Sequence, residues 1–447
     1  MLAAEKNRKD LRDRFADGLS SPLAQNTLWA LGGYGLRLVI QAAYFIVIAR
    51  SLGPGQYGGF VAATALANLI SPFVGWGAGN LLIKNVARNR SLFGEYWGNG
   101  LVVTLGSGLL LVGFVILLSA LILPHSIPML AIVCISVSDL IFVKFIDLAA
   151  FAFQSFEMLS KNAHLNVLIS LTRLVGIAGL ALVVSHPTVG AWSVVYLGGS
   201  VLATLIAVTW VTISLGFPRL ALGRIREEGY EGFAFSTGLS AQTVYNDIDK
   251  TMLARLGTLD ATGIYSAAYR LIDIAFLPVR ALLNAALPGF FRNGVDGIRG
   301  TMKYGRRLLL RVLPYSLFAF AALMLAAPVV PLILGPQYRE VTAALRWLSL
   351  LPLLKTLHYF AADSLTGAGY QGTRTAVQVG IAIFNVLFNL WIIPAYGWRG
   401  AAWSSLASDG LLAGILWLIA IQLSMKPTPQ QPEPELAEVV EVETIQT

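Results

Sequence analysis

"ARSLGPGQYGGFVAATAL", Ala49–Leu66, has a counterpart 205 residues further on, "ARLGTLDATGIYSAAYRL", Ala254–Leu271. At that offset Ala49 and Arg50 meet Ala254 and Arg255, Gly58-x-Phe60-x-Ala62-Ala63 meets Gly263-x-Tyr265-x-Ala267-Ala268, and Leu66 meets Leu271. Ala, Gly and Leu are common in apolar helices, so the position of the match says more than its letters. Each copy joins the first helix of a set to the second.

The number of helices in a set follows from composition. Hydrophobic residues make up 56% of the 447 and charged residues 13%, with a mean hydropathy of +0.68; a soluble domain carries about 25% charged residues. Apolar runs of about 20 residues, each able to cross a ~30 Å hydrocarbon layer as a helix, recur along the chain. They fall near 26–49, 58–83, 98–123, 129–153, 163–184, 190–214, 233–255, 261–288, 308–334, 341–369, 375–394 and 399–424. Six in each half is an even number, so both halves enter the membrane in the same direction. The expectation is an all-α integral membrane protein of twelve spans. Its two six-helix bundles are related by a pseudo-twofold axis along the membrane normal, with a site between them.

The expected organisation is a charged leader at 1–25, a bundle at 26–215, a linker at 216–232, a second bundle at 233–424 and an acidic tail at 425–447. The leader is too charged for a signal-peptide core. The tail, "PTPQQPEPELAEVVEVETIQT", is rich in Pro and Glu without an apolar period and is expected to be disordered. Lone Cys134 lies in a span, can form no intramolecular disulfide and reads as a packing residue. About twenty Lys and Arg gather on one set of connections, among them Lys84, Arg88, Arg219, Arg306 and Arg374. The other set has Arg50, Arg255, Arg339 and Arg399. That asymmetry puts both termini in the cytoplasm, and it makes the net charge of +8 a topology signal rather than a nucleic-acid signal.

Longer stretches bring a family resemblance. "IARSLGPGQYGGFVAATALANLISPF", "GNLLIKNVAR", "GIYSAAYRLIDIAFLPVRALLNAALPGFFR", "LGPQYREVTAALRWLSLLP" and "NVLFNLWIIPAYGWRGAAWSSLASD" resemble the Wzx-type oligosaccharide flippases. Their superfamily also holds lipid II flippases and the multidrug and toxin extrusion (MATE) exporters. The resemblance covers about residues 25 to 425. It implies a MATE-like fold with a central cavity, in the bacterial inner membrane, and export of a polyprenyl-diphosphate-linked oligosaccharide by alternating access. No cofactor or metal is expected, and coupling to Na⁺, H⁺ or membrane potential is. The expected partners are the lipid-linked oligosaccharide, membrane lipids, and the polymerase and glycosyltransferases of the same pathway, with the chain itself a monomer. Sugar, lipid carrier and pathway (lipopolysaccharide, capsule or exopolysaccharide) stay open.

Charges at membrane depth are the candidate site. An unpaired charge at a helix centre costs about 2.5–3.5 kcal/mol on insertion scales, so these side chains pair, line water or bind a ligand. On a helical wheel Gln242, Thr243, Asn246, Asp247, Asp249 and Lys250 share one arc, while Tyr245, Ile248 and Met252 fill the opposite side. That helix is expected to line water. Arg37, Arg173 and Lys355 fall at span midpoints with no acid within a turn, and Arg270, Asp273 and Arg280 share a helix face. The repeat-matched Arg50 and Arg255 stand at the outer ends of their helices. A diphosphate suits such a set, because Arg offers a planar fork and Lys a point charge.

The candidate substrate-binding residues are therefore Arg37, Arg50, Arg173, Lys250, Arg255, Arg270, Arg280 and Lys355, with Asp247, Asp249 and Asp273 as ion-coupling candidates. Against them stands plain salt bridging one turn apart, Lys144 with Asp147, Lys250 with Asp247 and Arg270 with Asp273. Asp363 and Asp409 are the expected cross-helix partners of the midpoint cations. Trp76, Trp97, Trp192, Trp347, Trp391, Trp398 and Trp403 read as an interfacial belt, and Pro72 and Pro278 as kinks.

Two other functions compete. A multidrug or organic-cation exporter needs an acid-dominated cavity, which Arg37 without an acid at depth on its helix argues against. A ligase or polymerase needs a large extracytoplasmic loop. The connections "PHSIP" and "SHPTVG", with His125 and His186, are too short to hold one, so the chain is not expected to be an enzyme.

Overall fold

The computed structural model describes residues 22–221, 223–224 and 247–425, with the side chains of 22–37 and of 159 left outside the description. The charged leader, most of the linker and the acidic tail lie outside the described residues, as do Gln242, Thr243, Asn246 and the Arg37 side chain. Among the described residues the chain is helical and contains no strand.

The N-terminal half runs through α1 (Pro22–Ile70), α2 (Ala78–Arg88), α3 (Phe93–Ile122), α4 (Met129–Val137), α5 (Val143–Ser155), α6 (Leu159–Val183) and α7 (Val189–Leu215). The C-terminal half runs through α8 (247–256), α9 (Leu259–Asn293), α10 (Gly297–Ala326), α11 (Val330–Leu334), α12 (Val341–Leu348), α13 (Leu351–Gly367), α14 (Gln371–Tyr396) and α15 (Trp398–Met425).

Eight helical stretches among the described residues are long and apolar enough to cross a membrane. Two of them, Leu38–Arg88 and Leu259–Leu334, far exceed a ~30 Å core at about 1.5 Å per residue, and both are broken inside. In α1 the break is Gly53, whose φ of 71° favours glycine, followed by Pro54, which has no N–H to give the helix. A second break covers Ser71–Gly77, where Val74, Gly75 and Trp76 leave helical geometry just after Pro72. The Leu259–Leu334 stretch breaks at Gly294–Asp296, and α9 continues through Pro278. Thr258 caps α9 by accepting from Ala261 N at 3.1 Å, as Thr188 caps α7.

The repeat is visible as a contact. The second segment of α1 packs along α9, and a Cβ on Gly58 would overlap the Leu259 carbonyl oxygen while one on Gly263 would overlap the Pro54 carbonyl oxygen. Pro54 and Leu259 are themselves 205 residues apart, so the contact maps onto itself under the repeat. It is the intramolecular analogue of an isologous interface.

Apolar packing shows where the halves join. One cluster unites them, running from Leu52, Tyr57 and Phe60 to Tyr265, Tyr338 and Trp398 at the end with few Lys and Arg. Tyr338 also donates to the Ala49 carbonyl at 3.0 Å there. At the Lys/Arg-rich end the cores are separate: one, around Trp97 and Phe153, belongs to the N-terminal half, and two others, around Phe290 and Leu416, to the C-terminal half. Trp97 and Trp192 are fully buried, which removes them from the expected interfacial belt; Trp76, Trp347 and Trp391 are exposed as it requires. The start of the linker is tied to α3: Arg219 N donates to Gly94 O at 2.7 Å, and Asn99 and Ala221 exchange two hydrogen bonds.

Candidate functional site

A cavity of about 570 Å³ lies between the two halves. It is closed at the Lys/Arg-poor end by the shared apolar cluster and reaches toward the other end, where lining residues Asp147 and Arg280 are exposed.

On the N-terminal side, Asp139 sits in a π-turn, Ser138–Phe142, between α4 and α5. Such bulges recur at functional sites because they re-aim side chains. Asp139 accepts from Tyr196 Oη at 2.7 Å and from Arg173 Nη2 at 3.4 Å, and the Arg173 guanidinium lies 4.4 Å from the Tyr196 ring centroid. Lys144 pairs with Asp147 at 3.2 Å, one turn along the same helix.

On the C-terminal side, Lys250 pairs with Asp247 at 2.5 Å and lies 4.9 Å from the Tyr269 ring centroid. Lys355 approaches that ring at 4.6 Å and donates to its hydroxyl at 2.9 Å, with Asp273 at 3.8 Å. Two ammonium groups on one aromatic ring make Tyr269 the hub of this wall. Arg270 lines the cavity half-buried, with no hydrogen bond or ion pair among the described residues, so the pairing with Asp273 weighed against its binding role is not formed. Arg280 lines the exposed part, 5.7 Å from the Phe276 ring centroid.

Six of the candidates line this one cavity together: Arg173, Asp247, Lys250, Arg270, Asp273 and Arg280. Lys355 does not; it is buried behind Tyr269 with a side chain 4% exposed. Arg50 and Arg255 are exposed at the closed end and belong to no part of the cavity, because the apolar cluster seals that end. Asp249, expected on the water-facing arc, turns away. It is 3% exposed, accepts from Tyr265 Oη and from Ser405 Oγ, and caps the Lys250 N–H.

The cross-helix partners also differ from expectation. Asp363 pairs with Arg374 at 3.2 Å and Asp409 with His358 at 3.1 Å, so neither serves Arg173 or Lys355, whose acids are Asp139 and Asp273. Sequence reasoning passed over Tyr196, Tyr269 and His358. Tyr265 and Tyr269, four residues apart in the repeat and next to Arg270, carried a signal; Tyr196 and His358 carried none, since their partners are on other helices.

The described residues thus form two helical bundles with a charged cavity between them. Residues 23–293, more than half of the chain, match the polysaccharide biosynthesis protein family, and the chain belongs to that family. No curated protein matches it in sequence. Among solved structures it is similar to a multidrug-resistance MATE transporter of the MOP superfamily in an inward-facing conformation, at 15% identity and a TM-score of 0.69, covering 88% of this chain and 98% of that one. It is similar to the lipid II flippase MurJ in an inward closed conformation, at 12% identity and a TM-score of 0.68, covering 90% and 88%. A third is a MOP superfamily transporter from Pyrococcus furiosus, described as having a binding pocket of reverse polarity, at 14% identity and a TM-score of 0.60, covering 89% and 94%.

Proposed function

We propose that this protein flips a polyprenyl-diphosphate-linked oligosaccharide from the cytoplasmic to the periplasmic leaflet of a bacterial inner membrane, for surface polysaccharide biosynthesis. Family membership supports a lipid-linked saccharide as the cargo. The observation that carries the diphosphate is Arg270, a cavity cation without a carboxylate among the described residues, while Lys250 and Arg173 on the same cavity are paired. A guanidinium with its donors free in a cavity can make charge-assisted bonds to the oxygens of a diphosphate.

The Lys/Arg-rich end is read as cytoplasmic. The cavity then opens inward, with Arg280 at its mouth and Arg270 deeper. The diphosphate enters past Arg280 to Arg270 while the prenyl tail stays in lipid. Rocking of one half on the other about the Gly58–Gly263 contact would close the inner end and open the outer one, bringing Arg50 and Arg255 to the new mouth. Asp247 and Asp273, carboxylates on the cavity wall, are the coupling candidates within this scheme. No step breaks a covalent bond, so the protein acts as a transporter and not as an enzyme.

Reconstituted proteoliposomes test this. A prenyl-diphosphate-linked oligosaccharide loaded on one leaflet should become accessible to a lectin on the other at a protein-dependent rate. Absence of transfer, with export of an organic cation by the same vesicles, would replace this reading with that of a drug exporter.

A further inference from the structure

The repeat relates two helix faces that line opposite walls of the cavity, and their chemistry is not alike. On α1 the face is Val61, Thr64, Ala65 and Asn68; 205 residues on, the matching face of α9 is Ser266, Tyr269, Arg270 and Asp273. Thr64 thus answers Tyr269, Ala65 answers Arg270 and Asn68 answers Asp273. One wall is neutral where its twin is charged.

The rest of the lining follows the same division. The N-terminal half contributes two cations and two carboxylates, and these pair with one another as Arg173–Asp139 and Lys144–Asp147. The C-terminal half contributes three cations and two carboxylates, with Arg270 unpaired. Aromatic residues are distributed the opposite way. Tyr44, Phe45, Tyr57, Phe60 and Tyr196 come from the N-terminal half, largely buried and with Arg173 over the Tyr196 ring, and Tyr269 comes from the other, covered by Lys250 and Lys355. Among the described residues Tyr44 Oη is buried without a hydrogen-bond partner, and Asn68 is exposed to the cavity with none. Aromatic rings beside free amide and hydroxyl groups accept a ligand with apolar C–H faces and neutral hydroxyls, which is the surface of a sugar ring.

The geometry points to a glycan subsite on the N-terminal wall, centred on Asn68, Thr64 and Tyr44 and selective for an uncharged sugar next to the diphosphate. This rests on the flippase reading above and divides its substrate between the walls, diphosphate on α9 and first sugar on α1. Selectivity follows from charge. An acidic sugar on this wall would face Asp139 and Asp147, whose cations are already engaged, so its carboxylate would be desolvated without compensation. Thr64 spends its own proton on the Val61 carbonyl at 2.9 Å, which leaves it an acceptor, while Asn68 supplies donors.

Calorimetric titration of the intact purified chain with three probes tests the division: a short-chain prenyl diphosphate, the same lipid carrying one neutral hexosamine, and the same lipid carrying one hexuronic acid. The neutral sugar should tighten binding over the bare diphosphate and the uronic acid should not. Asn68→Leu should remove about three- to tenfold of affinity for the hexosamine probe, the worth of one or two hydrogen bonds, and erase its advantage over the bare lipid. The nearly isosteric Thr64→Val should reduce that advantage even if Asn68→Leu folds poorly, and Arg270→Gln should weaken all probes alike. A sugar advantage that survives both α1 substitutions, or a uronic acid that binds as well as the hexosamine, overturns the subsite while the flippase reading stands. Failure of every probe to bind the wild-type chain overturns both.

Discussion

Gly58 and Gly263 lie against each other's helix at equivalent places, Gly58 on the Leu259 carbonyl and Gly263 on the Pro54 carbonyl, with the Gly263 N–H 2.8 Å from where a Gly58 Cβ would stand. Two backbones this close tolerate no side chain. The contact is therefore a close backbone approach between the halves and a natural pivot for their motion.

Gly58→Ala and Gly263→Ala should each lower the melting temperature of the purified protein, with a cost of about 1–3 kcal/mol, the usual range for forcing a methyl group into a packed site. Gly106→Ala and Gly113→Ala, where a Cβ meets nothing within 4 Å, should leave it unchanged. Equal melting temperatures for all four would show that the halves part easily at Gly58.

Orientation is tested by thiol labelling. Asn89, Gly372, Ser126 and Thr188 are all exposed, the first two at the Lys/Arg-rich end and the last two at the other. In a Cys134→Ser background, cysteines at Ser126 and Thr188 should react with a membrane-impermeant reagent in intact cells, and those at Asn89 and Gly372 should not. The reverse pattern would invert the direction of transport proposed here.

The free and the paired arginines should separate in a delivery assay. Arg270→Gln removes a cation with no ion-pair partner among the described residues, so transport should fall roughly tenfold or more, as for loss of a charge-assisted hydrogen bond, with little change in stability. Arg173→Gln leaves Asp139 buried without its cation, held by the Tyr196 and Ser138 hydroxyls, so it should destabilise the protein, and Asp139→Asn in the same chain should restore much of that loss. Full transport by Arg270→Gln would move the diphosphate contact elsewhere.

These residues also show what could be read in advance. The repeat, the helical character and the pairs Lys144–Asp147 and Lys250–Asp247 were legible, because each is local or periodic: a one-turn spacing fixes which side chains meet whatever the helix packs against. Arg173–Asp139, Lys355–Tyr269, His358–Asp409 and Arg374–Asp363 were not. All four join different helices, and the rotation of each helix about its axis decides them. Asp249 makes the same point in reverse. A wheel placed it at the edge of the water-facing arc, and a small rotation of α8 was enough to give it to Tyr265 and Ser405 instead.

That placement of Asp249, next to the Asp247–Lys250 pair, allows three roles to be told apart on one helix. Lys250 and Asp247 are paired at 2.5 Å with side chains 13% and 19% exposed, so losing either leaves a partly buried charge. If the pair is only structural, Asp247→Asn/Lys250→Ala should be milder than either single change, with a coupling energy of about 1–3 kcal/mol in stability and delivery restored. The reading favoured here is that Lys250 also meets the diphosphate beside Arg270, so delivery stays low in the double variant even as stability recovers. Asp249 should behave differently from both. Its carboxylate holds Tyr265 and Ser405 across α9 and α15, so Asp249→Asn and Tyr265→Phe should lower the melting temperature by similar amounts while diphosphate binding survives. Transport by Asp249→Asn that no longer responds to collapse of the ion gradient would instead make this buried acid the coupling group, and would move coupling out of the cavity and away from Asp247 and Asp273.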